Sequence, residues 1–149
     1  MTQQKPAPSD APIEVLRLDN QLCFALYGAA NRMTRLYRPM LDALGLTYPQ
    51  YLAMLVLWEA SPRTVGTLGD ALDLDSSTLT PLLKRLEAGG LVARTRDPED
   101  ERRVIVALTD KGRALRDQAV SIPEKLFCAL DMPLDTMGAL RDRLKTVAK

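Results

Sequence analysis

The 149-residue chain contains no histidine. Imidazole general bases, histidine-based nucleophile triads and every histidine-containing metal site are therefore excluded. Its two cysteines, Cys23 and Cys128, are over a hundred residues apart. They form no CxxC motif, cannot supply a zinc ligand set and are too few for a disulfide scaffold. No stretch approaches the ~18 apolar residues of a membrane span, and Met1–Asp10 lacks the apolar core of a signal peptide, so a cytoplasmic protein without membrane contact is expected. One sign of charge is not in excess either. Twenty Lys and Arg against nineteen Asp and Glu leave a net charge of +1, and no argument for nucleic acid can start from that balance. What is present is 46% hydrophobic residues and 26% charged, enough for one domain with a real core.

Residues 1–12 (MTQQKPAPSDAP) are polar and proline-rich and read as a disordered tail. From Ile13 a helical pattern begins, with Val15, Leu18, Leu22, Ala25/Leu26, Ala29, Met33, Leu36 and Met40 recurring every three or four residues, and Pro39 bending it near its end. Thr47 and Gln50 have the spacing of a capping box, and the helix they start stops at Ser61-Pro62. Thr64 caps a short helix through Leu72. After Asp73-Leu74-Asp75 a second helix follows, capped by Asp75, buried through Leu79, Leu82, Leu83 and Leu86, and ended by Gly89-Gly90. Pro81 leaves two readings open: an irregular first turn, or a regular helix that starts only at Thr80. Leu91–Arg96 and Arg103–Leu108 form a hairpin around Asp97-Pro98-Glu99-Asp100. Thr109 caps a helix through Leu115, Ala119 and Ile122, which Pro123 kinks or interrupts, and a last helix starts near Pro133. The fold class is mainly α with one small β ribbon.

Two helices joined by a three-residue turn suit a helix-turn-helix, whose second helix can enter a DNA major groove. Ser76, Ser77, Thr78 and Thr80 offer small hydrogen-bonding groups at its N-terminal end, and Lys84 and Arg85 lie where phosphates would be met. Between Ser76 and Arg96, four basic residues (Lys84, Arg85, Arg94, Arg96) face one acid, Glu87, so local charge exists where the global balance shows none. Arg102 and Arg103 add to it, offset by the hairpin's four acids. Ordinary capping and ordinary surface arginine explain each feature taken singly. Their order, a helix-turn-helix followed at once by a basic hairpin, is that of a winged helix whose hairpin reaches an adjacent minor groove. Gly66-Thr67-Leu68-Gly69 is too short to be a phosphate loop.

Residues 100–112, DERRVIVALTDKG, match the wing signature DxRxxxxxLTxxG at every fixed position. The chain thus resembles the MarR family of winged-helix regulators, and the preceding SSTLTPLLKRLEAGGLVARTRD is similar to that family's recognition helix and first wing strand. The resemblance spans residues 13–149. It implies a homodimer held by helices within 13–46 and 111–149, with residues 47–110 as the DNA-binding winged helix on a near-palindromic double-stranded operator. It also implies that Arg102 enters the minor groove while Asp100 holds the wing's shape.

Cys23 lies beside the apolar stripe of the first helix. A buried, inert thiol is the plainer reading of a lone cysteine there. Against it, Tyr27 stands one turn away on the same face. Tyr37 returns to that face but about 21 Å along a continuous helix, so only a partner chain's Tyr37 could reach the sulfur. The stretch LDNQLCFALYGAANRMTRLYRPMLDALGLTYPQYLAML resembles the organic hydroperoxide sensors of the MarR family, the OhrR subgroup, in the spacing of Cys23, Tyr37 and Tyr48. That resemblance implies a reactive Cys23 hydrogen-bonded by two tyrosines of the other subunit. Cys128, alone also a core residue, then matches the resolving cysteine of the two-cysteine type, implying an intersubunit Cys23–Cys128 disulfide.

The expected function is a repressor released from DNA when an organic hydroperoxide oxidises Cys23, with no cofactor and no catalytic turnover. Leu22, Phe24, Leu26 and Tyr27 make an apolar neighbourhood that favours alkyl or lipid hydroperoxides. Two alternatives stand beside it: a MarR-type repressor gated by a small aromatic ligand, and a cysteine-based thiol peroxidase. The second lacks the alternating βαβ pattern of thioredoxin-like folds.

Overall fold

The computed structural model describes residues 13–148, and the tail expected over residues 1–12 lies outside them. Two compact units make up the chain, Met1–Arg35 and Leu36–Lys149. Helix α1 (Leu22–Asp42) begins in the first and ends in the second.

In the first unit the apolar periodicity from Ile13 does not produce one long α-helix. Two 3₁₀ turns, Ile13–Leu16 and Leu18–Asn20, precede α1, with Arg17 and Gln21 extended between and after them. Polar side chains account for this. The Asn20 amide donates to the Glu14 carbonyl at 2.7 Å, and that of Gln21 to the Val15 and Arg17 carbonyls at 2.9 Å each. Side-chain donors thereby occupy acceptors that an α-helical ladder needs.

The second unit is built around α2 (Tyr48–Glu59), which opens with the expected capping box: the Thr47 N–H donates to Gln50 Oε1 and the Gln50 N–H to Thr47 Oγ1. Its Tyr51, Ala53, Met54 and Leu57 are buried. Leu41 from the end of α1, Leu68 from α3 (Val65–Leu72), Leu79, Leu83 and Leu86 from α4 (Ser76–Ala88) and Val106 join them in one core. Each buried leucine contributes on the order of 2 kcal/mol, as an upper estimate.

The α3–α4 connection is tight because Asp73 takes the left-handed conformation (φ 53°) and Gly69 lets the chain fold back. A Cβ on Gly69 would stand 2.7 Å from the Leu74 carbonyl oxygen. The question at Pro81 is resolved in favour of the full-length helix. Asp75 caps it, Ser76 begins it and Pro81 sits inside, so the Ser77 carbonyl has no N–H partner four residues on. Ser77 is exposed, so solvent can serve that carbonyl.

The hairpin forms as β2 (Val92–Arg96) and β3 (Val104–Leu108), paired antiparallel with Arg94 opposite Val106. A third strand, β1 (Arg63–Thr64), pairs with the other edge of β3, giving the order β1-β3-β2. Helices α5 (Asp110–Ala119), α6 (Ile122–Leu130) and α7 (Leu134–Val147) complete the chain. Pro123 lies in the first turn of α6 and therefore interrupts the helix rather than kinking it.

The residues of the wing signature meet at the foot of the hairpin. Thr109 Oγ1 donates to the Gly90 carbonyl at 2.6 Å and accepts from the Gly112 N–H at 3.0 Å, while its own N–H donates to the Leu91 carbonyl at 3.1 Å. Lys111 Nζ adds a bond to the Gly89 carbonyl at 2.8 Å. Position 112 tolerates only glycine, because a Cβ there would stand 2.0 Å from the Leu91 carbonyl oxygen. The architecture is the mainly helical winged helix-turn-helix expected, and among the described residues no helix is long and apolar enough to cross a membrane.

Candidate nucleic-acid interface and thiol site

The N-terminal end of α4 presents Ser76, Ser77 and Thr78 exposed and Thr80 half-buried. Asp75 organises this end. Its carboxylate accepts from Ser77 Oγ at 2.6 Å and from the Thr78 N–H at 2.8 Å, and these bonds hold it below the ordinary aspartate range. The Ser77 proton is thereby engaged, leaving its oxygen as an acceptor towards a ligand. Lys84 and Arg85 are exposed and, among the described residues, have no ion-pair partner.

Arg94 departs from the expectation of a free DNA-contacting cation. Its guanidinium donates twice to Glu87 Oε2, at 2.7 and 3.0 Å, and its backbone N–H donates to Glu87 Oε1 at 3.0 Å. The arginine holds the Glu87 carboxyl below its ordinary value, and the pair ties the last turn of α4 to β2. The local charge counted along the sequence is accordingly carried by Lys84, Arg85 and Arg96. Arg96 bridges the hairpin, donating to the Glu101 carbonyl at 2.7 Å.

At the wing tip the acids are structural. Asp97 is buried, accepts from the Glu99 N–H at 3.0 Å and pairs with Arg103 at 3.0 Å. Asp100 accepts from both the backbone N–H and Nε of Arg102, each at 3.1 Å, which lowers its affinity for a proton. The Arg102 side chain is nevertheless 90% exposed. Asp100 thus aims the guanidinium rather than covering it. Between the helix-turn-helix and the wing lies an open groove of about 620 Å³, lined among others by Thr64, Thr67, Ser76, Thr80, Arg102 and Arg103. Hydroxyls on one wall and guanidinium groups on the other suit a phosphodiester backbone. Arg103, counted along the sequence for its charge, lines the groove, whereas Thr64 and Thr67 were not expected at this site, although the Thr-x-x-Thr spacing at the start of α3 is legible as a cap.

Cys23 on α1 and Cys128 on α6 are both exposed and free in the single chain, so neither is the buried core thiol that a lone cysteine suggests. Around Cys23, Leu22, Phe24 and Tyr27 are exposed, leaving the thiol in an apolar surface strip of the first unit. In the second unit Tyr37 and Tyr48 meet with ring centroids 4.8 Å apart. The pair extends into a row that the sequence reading missed: Tyr51 lies 5.8 Å from Tyr37, and Trp58 lies 6.4 Å from Tyr51, edge to face. Burial pushes Tyr37 up to about 12, with the neighbouring phenols Tyr48 and Tyr51 adding to it, and burial also raises Tyr48 and Tyr51. All three stay protonated at neutral pH and so can donate a hydrogen bond. Among the described residues no group of three or more Cys, Asp and Glu is placed to hold a metal ion.

Comparison with known proteins bears on this geometry. Residues 35–119 match the family described as transcriptional regulator SarA/Rot. The chain is 54% identical over 132 residues to the organic hydroperoxide resistance transcriptional regulator of Bacillus subtilis, covering 89% of this chain and 90% of that one. Its fold is similar to that of reduced AbfR bound to DNA, with a TM-score of 0.75 and 38% identity over 91% of this chain and 94% of the other. The disulfide-formed state of AbfR is similar at a TM-score of 0.64 and 39% identity, over 91% and 96% of the two chains.

Proposed function

The chain belongs to the MarR-type winged-helix transcriptional regulators, within the group of organic hydroperoxide resistance regulators, and from that premise we propose that it is a DNA-binding repressor switched by oxidation of Cys23. The observation that carries this reading is the exposed, free thiol of Cys23 in an apolar strip, in a chain that also holds Tyr37 and Tyr48 as a protonated pair. An exposed thiolate is open to attack on peroxide, and an apolar surround favours an organic peroxide over a hydrated one.

The functional unit is a homodimer. Support comes from apolar side chains left exposed in each unit: Ile13, Leu16 and Leu22 in the first, and Leu134, Leu140 and Leu144 in the second. Monomeric proteins seldom leave such surfaces uncovered. Two α4 helices about 34 Å apart would then enter successive major grooves of a near-palindromic operator. Ser76, Ser77, Thr78 and Thr80 face base edges, Lys84, Arg85 and Arg96 meet phosphates, and Arg102 enters the minor groove, aimed by Asp100.

In the switch, phenol donors from Tyr37 and Tyr48 of one protomer stabilise the Cys23 thiolate of the other, with Tyr27 of the same helix closing the pocket. The thiolate attacks the outer oxygen of a hydroperoxide. A sulfur–oxygen bond forms, the O–O bond breaks, and the organic alkoxide leaves and is protonated to the alcohol. The Cys128 thiol of the partner then displaces the sulfenic oxygen as water, forming the Cys23–Cys128 disulfide. Its geometry demands Cα atoms about 4.4–6.8 Å apart, and if they start further apart in the reduced dimer, closing it displaces α1 and α6 and with them the DNA-reading pair.

The test is operator binding with and without an organic hydroperoxide, on the native chain and on Cys23→Ser and Cys128→Ser. Release of the native protein, with retained binding by both variants under peroxide, is the expected pattern. Release of Cys23→Ser by peroxide would overturn the proposal and leave a regulator with a different trigger.

A further inference from the structure

Trp58 is the single tryptophan of the chain, and it occupies a junction. On one side its ring meets Tyr51 edge to face, and Tyr51 in turn meets Tyr37, which meets Tyr48. On the other side its indole N–H donates to the Gly112 carbonyl at 2.9 Å. The Gly112 N–H bonds Thr109 Oγ1, and Thr109 bonds the carbonyls of Gly90 and Leu91, where α4 ends and the wing begins. Trp58 also lines a cleft of about 250 Å³ with Arg116, Ala119, Val120 and Pro123, the passage from α5 into the helix that carries Cys128.

We propose that Trp58 is the positioning residue that couples the tyrosine pair to the DNA-reading end of the domain, by fixing the start of α5 and the wing foot relative to the Tyr37–Tyr48–Tyr51 row. This deepens the redox reading above and rests on it. The physical case is one of stiffness. A row of close aromatic contacts cannot absorb displacement at Tyr37 or Tyr48 by local compression, because interiors are packed near crystal density. At the other end, position 112 has no room to yield, since even a Cβ would collide with the Leu91 carbonyl. The indole–carbonyl hydrogen bond links these two ends directly. When Cys23 oxidation removes the acceptor that the tyrosines bond, their rings reorient, the indole follows, and the bond to Gly112 tilts the wing foot or breaks.

The experiment uses the full-length dimer, its operator and cumene hydroperoxide as the probe. In Trp58→Phe, which keeps an aromatic ring but loses the N–H donor, thiol titration should show Cys23 consumed at the native rate. The drop in operator affinity on oxidation should nonetheless be about tenfold smaller than in the native protein, the scale of an ordinary coupling free energy. A merely structural role would lower thermal stability and reduced-state binding without separating oxidation from release. Release of Trp58→Phe at the native degree of oxidation overturns the coupling role. A second measurement needs no variant: Trp58 fluorescence in the native protein should shift in step with operator release and stay unchanged in Cys23→Ser treated alike. A native emission spectrum untouched by oxidation while the operator is released also overturns the proposal. Should the native protein itself keep its operator under peroxide, the redox reading fails first, and the coupling role falls with it.

Discussion

Glu87 holds Arg94 at three points, two on the guanidinium and one on the backbone N–H, across the turn that joins the recognition helix to the wing. A cation that sequence order places among the DNA contacts, and that lines the groove, is thereby paired with an acid of the same chain and ties the last turn of α4 to β2.

Glu87→Gln should therefore act in two opposite directions. Freeing the Arg94 charge raises sequence-independent binding, and the dependence of log K on log salt steepens by about one phosphate contact. Loosening the helix–wing angle lowers affinity for the operator several-fold. The ratio of operator to random-DNA affinity, measured at two salt concentrations, should fall, and an unchanged ratio would mean the pair does not position the wing.

Arg102→Ala should weaken operator binding by about tenfold or more while leaving peroxide-dependent release intact, since the side chain is exposed at the wing tip and bonds only Asp100 there. Fluorescence anisotropy on a labelled operator, with and without peroxide, separates the two effects. Asp100→Ala should give a smaller loss, because the arginine remains but is no longer aimed.

Gly112→Ala should destabilise the domain by about 3 kcal/mol or more, the upper end of overpacking costs, because the added methyl meets a backbone carbonyl rather than a flexible side chain. Gly69→Ala should cost less, its clash being 2.7 Å against 2.0 Å. Urea denaturation of the two variants gives the order directly, and equal losses would contradict the geometry.

Stability at high pH tests the aromatic row. The folded chain keeps the Tyr37 proton up to about 12, whereas an unfolded tyrosine loses it near 10. Between those values the unfolded state binds fewer protons, so stability is full below about pH 10 and falls as pH rises towards 12. Thermal melts from pH 9 to 12 should show that decline, and Tyr37→Phe should flatten it.

Much of this molecule is legible in its residue order, for identifiable reasons. Caps at Thr47, Thr64, Asp75 and Thr109 each make the bond their spacing advertises, and the two β-prone runs place the hairpin strands to within a residue. Strand β1 is not legible because two residues carry no alternation; it exists only as a partner for the open edge of β3. The start of α1 misleads because apolar periodicity says nothing of Asn20 and Gln21 reaching back to carbonyls six residues earlier. Arg94 misleads because its partner becomes adjacent only after the chain has turned. Trp58 and Tyr51 sit in an apolar helix whose spacing marks neither, and the Gly112 carbonyl that the indole bonds is 54 residues away.

The hydroxyl of Thr109 bears on how the wing can answer DNA at all. With the ribbon's base, the end of α4 and the first turn of α5 pinned through one oxygen, the wing has no pivot of its own beneath it. A roll of α5 would therefore carry the whole wing with it as a lever, because the far end, residues 97–103, is itself held in shape by the Asp97–Arg103 and Asp100–Arg102 pairs.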